Sequence, residues 1–171
     1  SVIIGDSVTS IDSLAFGGCN SLKFNEYGNC KYLGSDSNPY FALIKVSNKN
    51  MRSYEIHNDT RIIADYAFSS CSRLTSIVIP DSVTSIDNGA FAYCSKLTSI
   101  VFGNNSRLSS IGHSAFFGCT DLKSIEIPNR VTSIGGSAFE GCTDLTSIEI
   151  PNSVTSIGSS AFEGCRGLTS I

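Results

Sequence analysis

Residues 122–142, LKSIEIPNRVTSIGGSAFEGC, return 23 residues later, almost letter for letter, as LTSIEIPNSVTSIGSSAFEGC. Leu145, Ile148, Ile150, Val154, Ile157, Ala161, Phe162 and Cys165 repeat the apolar set of the earlier copy. A unit this short encloses too little apolar surface to offset the entropy of ordering it. It therefore folds only against copies of itself, stacked so that like residues lie over like.

The Ala-Phe pair sets the phase along the chain. Its Phe is Phe16, Phe68, Phe91, Phe116, Phe139 and Phe162. The regular spacing is 23 residues, stretched to 25 between Phe91 and Phe116 by two extra residues near 103–106. Within one unit, Leu-x-x-Ile-x-Ile reads as a short strand, and the following Pro ends it because Pro cannot donate to a ladder. Val-Thr-Ser-Ile-Gly reads as a second extended piece. Ser-Ser-Ala-Phe-Glu-Gly-Cys suits one or two helical turns with a Ser cap and a Gly stop. The expected fold is a β-rich repeat solenoid of about seven coils, joined by ladders of short strands, with short helical turns at the Ala-Phe segment.

One interval breaks the period: 52 residues separate Phe16 from Phe68. The expected organisation is thus a single solenoid domain over 1–171. It has a first repeat at 1–22, an irregular insertion at 23–52 and regular repeats at 53–171. In the insertion, Tyr32-Leu33 and residues 41–46 flank the turn-forming run Gly34-Ser35-Asp36-Ser37-Asn38-Pro39, which predicts a β-hairpin. Tyr27, Lys31, Tyr32, Tyr40, Phe41, Lys45 and Arg52 concentrate aromatic and cationic groups where the repeat lapses. They are candidate binding residues, because excursions from a rigid scaffold often carry recognition. A second candidate surface is the outward face of the first strand: Ser76 and Val78, Ser99 and Val101, Ser124 and Glu126, Ser147 and Glu149. Ser53, Tyr54 and Glu55 extend it in the degenerate copy. Its serines offer little anchoring energy, since hot spots favour Trp, Tyr and Arg.

Composition narrows the function further. A net charge of -3 with 16% charged residues disfavours a nucleic-acid binder, which carries a basic face. No apolar stretch is long enough to span a membrane, and residues 1–11 do not have the layout of a signal peptide. Cys19, Cys71, Cys94, Cys119, Cys142 and Cys165 each stand three residues after the Phe of an Ala-Phe pair, and only Cys30 lies outside that column. A column of one residue type at one repeat position predicts buried free thiols rather than disulfides. No Cys-x-x-Cys pair or His cluster points to a metal. His57 and His113 are lone and are expected at the surface. No nucleophile elbow, dinucleotide fingerprint or phosphate loop occurs, so neither catalysis nor a cofactor is expected. Asn58-Asp59-Thr60 and Asn104-Asn105-Ser106 are glycosylation sequons, meaningful in a eukaryotic secretory pathway. In Thr-Ser-Ile the hydroxyl residues are adjacent, so they point to opposite faces of a strand and build no flat ice-binding array.

Residues 142–162 follow Cys-x-x-Leu-x-x-Ile-x-Ile-Pro-x-x-Val-x-x-Ile-x-x-x-Ala-Phe, which resembles the BspA-type leucine-rich repeat. The resemblance covers residues 1–22 and 53–171. It implies a leucine-rich-repeat solenoid, with short strands forming a parallel sheet on one face and the short helical turns on the other, in a surface-exposed or secreted protein. Several such proteins are adhesins for host matrix or other cells, so the implied partner is a protein or glycan ligand. The family has no shared catalytic residues to carry over. Ser170 and Ile171 stand in the same phase as Ser1 and Val2, and neither end has a polar cap. The chain is therefore expected to be part of a longer array, or to stack end to end into a filament through its terminal coils.

Overall fold

The computed structural model describes residues 2–16 and 18–169. The phase match between Ser1 and residues 170–171 lies outside the described residues. The strands are β1 (Asn25–Tyr27), β2 (Cys30–Leu33), β3 (Ala42–Val46), β4 (Ile62–Ile63), β5 (Ser76–Ile79), β6 (Ser85–Ile86), β7 (Ser99–Phe102), β8 (Ser110–Ile111), β9 (Ser124–Glu126), β10 (Ser133–Ile134), β11 (Ser147–Glu149) and β12 (Ser156–Ile157). The chain is a β-solenoid of about five turns, fewer than the seven expected. Each regular coil has three sides.

The first side holds the Leu-x-x-Ile-x-Ile strands. Parallel β5 and β7 pair there, as do β9 and β11, each in unshifted register with Ser over Ser and Ile over Ile. The second side holds the Val-Thr-Ser-Ile strands β4, β6, β8, β10 and β12, all parallel within one sheet. The hydroxyls that replace charge in this composition reinforce both ladders. Thr75 donates its backbone N–H and its hydroxyl to one acceptor, the Arg52 carbonyl, at 3.0 and 3.2 Å. On the second side Thr84, Ser109, Thr132 and Thr155 each donate to the carbonyl one coil earlier.

The third side corrects the expected helical turns: no helix forms there among the described residues. Tyr66, Gly89, Ser114, Ser137 and Ser160 have positive φ just before the Ala, as do Ser70, Tyr93, Gly118, Gly141 and Gly164 two residues after the Phe. Two left-handed residues bracketing Ala-Phe leave no room for a helical turn. The N–H groups instead point along the solenoid axis. Phe91 donates to the Ala115 carbonyl, Phe116 to Ala138 and Phe139 to Ala161, each at 2.8 Å. The third side is thus an inter-coil ladder too, and it continues from coil to coil where the first-side strands divide into two separate pairs.

The core consists of columns. Phe68, Phe91, Phe116, Phe139 and Phe162 stack nearly parallel, with centroids 4.8–5.4 Å apart. The thiols of Cys94, Cys119, Cys142 and Cys165 each donate to a Phe carbonyl at 3.1–3.2 Å. Cys30, outside the column by phase, is also buried. Cys19 departs from the expectation and is exposed, because its repeat does not stack in line with the others.

That departure follows from the insertion. β2 and β3 form the hairpin predicted around residues 34–39, and β1 adds a third antiparallel strand through a Gly28-Asn29 turn. Both turn residues have positive φ, as a type I′ turn demands. β3 then pairs in parallel with β4, so it takes the place of a second-side strand. Leu43 and Val46 face the main core, whereas Phe41, Ala42 and Ile44 face the opposite way. Residues 2–16 and 18–24 cover that outer face, where Ile4, Ile11, Leu33, Phe41, Ala42, Ile62 and Ala64 form a second small core. Asp65 accepts the Ser13 N–H at 3.2 Å and Asp87 the Ile11 N–H at 3.4 Å, fastening this layer to two different coils.

Candidate binding surface

The insertion distributes its candidate residues over two faces and the core. Tyr32, Phe41 and Tyr54 are buried. Tyr32 and Tyr54 occupy the main core and Phe41 the second one, so their rings are packing elements. Tyr54, expected on the outward face with Ser53 and Glu55, stands at the inward Ile position instead. Arg52 is exposed, and its carbonyl anchors Thr75.

Tyr27 and Tyr40 come together at the head of the first side, in a cluster that includes two residues the sequence reading had set elsewhere. His57 stacks on Tyr40 with ring centroids 4.0 Å apart, and Tyr27 meets it edge-on at 4.9 Å. The Tyr32 hydroxyl accepts the His57 N–H at 3.3 Å, and His57 Nδ1 accepts the Asp59 N–H at 3.2 Å. His57 is thus half-buried among aromatic rings, where full exposure was expected. The Tyr27 hydroxyl donates to Glu55, and that carboxylate holds the phenol pKa above its ordinary value. The signal for His57 was its place in the Pro phase of the repeat. Replacing Pro at the turn frees a ring to face the insertion.

Glu55 heads an outward rank that continues through Val78, Val101, Glu126 and Glu149. Val78 and Val101 are 62% and 52% exposed. Glu126 and Glu149 are direct cross-strand partners between β9 and β11, and both are exposed. The ranks expected to point outward on β5, β7, β9 and β11 do so. The two added residues in the 25-residue copy part this face, since β7 and β9 do not pair. A groove of about 510 Å³ opens there between residues 100–106 and 126–130.

Lys31 and Lys45 sit on the opposite face of the insertion, away from the tyrosines. They are cross-strand partners between β2 and β3, and both ammonium groups lie over the Phe24 ring.

Among the described residues no helix is long and apolar enough to cross a membrane. The BspA type Leucine rich repeat region matches in six copies, over residues 1–105 and 45–169. A leucine rich cell surface protein from Faecalibacterium prausnitzii is 38% identical with a TM-score of 0.79, covering 98% of this chain and 46% of that one. A leucine-rich repeat protein from Bacteroides ovatus is 30% identical with a TM-score of 0.61, covering 98% and 35%. The T. pallidum Leucine Rich Repeat protein is 29% identical with a TM-score of 0.75, covering 85% and 69%. The chain spans less than half the length of the Faecalibacterium protein. No curated protein matches it. Proteins of this repeat type are typically at the cell surface or secreted, leucine-rich-repeat domains typically bind proteins, and such families are generally non-enzymatic scaffolds. Its in-register coils and its six repeat matches place this chain in the BspA-type leucine-rich repeat family.

Proposed function

We propose that this chain is a non-enzymatic protein-interaction and adhesion module of a surface or secreted protein. The docking face is the first side of the solenoid, anchored at its head by Tyr27, Tyr40 and His57. The observation that carries this reading is the junction at Glu55. There the half-buried aromatic cluster is bonded directly to a rank holding two exposed valines. Preorganised Tyr rings supply anchoring energy at low entropic cost. The flat serine ranks of the neighbouring strands let a partner surface approach closely. A protein partner fits the valines, and a glycan stacking on the tyrosines is the alternative ligand.

Surface plasmon resonance over immobilised fibronectin, laminin and epithelial cell surfaces tests the reading. Binding that weakens tenfold or more in Tyr40→Ala supports it. No binding to any of these surfaces, or equal binding by the variant, overturns it.

A further inference from the structure

Lys31 and Lys45 stand directly opposite one another across β2 and β3. Like charges in that position destabilise a sheet. The Lys31 ammonium lies 5.9 Å and the Lys45 ammonium 4.9 Å from the centroid of the Phe24 ring, so both cations gather around one aromatic ring. Glu26, the partner of Lys31 on β1, lies 3.3 Å from its ammonium and neutralises one charge. Lys45 makes no ion pair among the described residues, which leaves one positive charge unmatched. Both lysines open onto a cleft of about 480 Å³ between residues 11–24 and the outer face of the sheet. Phe16, Leu22 and Ile44 give this cleft an apolar wall. Asp12 and Asp65 also line it, and Asp65 already accepts the Ser13 and Asn88 N–H groups. The cleft therefore combines two lysines, two aspartates and an apolar wall.

We infer that this cleft binds an acidic peptide segment. A Glu or Asp carboxylate sits between Lys31 and Lys45, and an adjoining aromatic or aliphatic side chain lies on Phe16, Leu22 and Ile44. The bound carboxylate relieves the repulsion built into the cross-strand pair. This inference rests on the protein-interaction reading above, but it concerns a different face of the insertion.

The test is fluorescence anisotropy with a labelled, capped Gly-Glu-Phe-Leu-Gly peptide and its Gln-for-Glu counterpart. The Glu peptide is expected to bind at least tenfold tighter than the Gln peptide and to weaken about threefold between 50 and 300 mM salt. Lys45→Met is expected to abolish that preference while leaving the melting temperature equal or higher, because it removes the repulsive pair. Lys45→Arg retains the preference. Equal affinity for the two peptides, absence of binding by either, or undiminished binding by Lys45→Met overturns the inference. So does a glucuronate oligosaccharide that binds more tightly than the peptide. Tyr40→Ala leaves peptide binding unchanged here, so a failure of this cleft is separable from a failure of the docking face.

Discussion

The Tyr54 ring meets Phe68 edge-on at 5.3 Å and closes the end of the phenylalanine column. Tyr54 stands where other coils carry Ile, so its larger ring reaches over the last Phe. Its hydroxyl donates to the Asn48 carbonyl and ties the column to the end of the insertion. Phe91→Ala, deep in the column, is expected to cost about 3–5 kcal/mol, since a fully buried ring is lost and rigid coils on either side limit collapse. Tyr54→Phe keeps the ring and loses one hydrogen bond, costing about 1 kcal/mol. Urea denaturation of the two variants measures both values.

Glycines fall into two kinds with different costs. A Cβ on Gly135 would lie 2.5 Å from the backbone of Gly112 and His113, because the coils touch there along a column of glycines. Gly135→Ala is expected to cost about 3 kcal/mol, the upper end of the overpacking range. Gly141 has φ +73, and a Cβ there would meet nothing closer than Gly118 Cα at 3.7 Å. Gly141→Ala carries only the left-handed backbone penalty of about 1 kcal/mol. Thermal melts of the two variants should rank accordingly, and the reverse order would contradict the stacking described.

Asp87 supplies a pH dependence of unusual sign. Burial, helped by the neighbouring charges of Asp65 and Asp12, pushes its carboxyl up to about 6 from an ordinary 3.8. The folded state then holds this proton more firmly than the unfolded chain. The associated stabilisation is complete below about pH 4 and is lost as pH rises through about 6. Asp87→Asn, neutral at every pH, should therefore be more stable than the parent by about 1–3 kcal/mol at pH 7 and similar to it at pH 4. Paired urea titrations at the two pH values measure the difference.

The thiols should react in two classes. Cys19 is exposed, while burial pushes Cys119 up to about 12 and raises Cys142 as well; Cys71, drawn down to about 7 by its hydrogen bond with Cys94, is shielded by its burial alone. Iodoacetamide at pH 8 should label Cys19 within minutes and the six buried thiols far more slowly. In urea all seven should react. Time-resolved mass spectrometry distinguishes this from uniform labelling, which the buried column forbids.

The repeat made most of this fold legible. Ile148 over Ile125 and Phe162 over Phe139 follow from a strict 23-residue period, because equal coils can only stack in register. The Ala-Phe side was misread as helical turns. Its Ser and Gly letters suit a helix cap as well as a left-handed corner, and only the neighbouring coil decides where those N–H groups bond. Residues 2–16 and 18–22 carry the repeat's letters yet lie beside the solenoid, since β3 takes the next place in the sheet ahead of them. Ile62, standing where other coils carry an outward Ser, was the local sign that a second apolar layer would cover this face. The candidate site was legible as a list of residues. Its division into a tyrosine face and a lysine face depends on strand alternation within β1–β3. Those strands are short, and their register is set by the Gly28-Asn29 turn between β1 and β2 and by a bulge at Lys31-Tyr32 between β2 and β3, which the letters do not advertise.

The docking face is tested most directly by comparing two variants in one cell-adhesion assay, each checked for an unchanged melt. Tyr40→Ala combined with Val78→Glu alters the first side. Glu163→Ala alters the third side. The account predicts at least a tenfold loss of adhesion for the first variant and no change for the second. Equal adhesion by both, or a loss confined to Glu163→Ala, would contradict it.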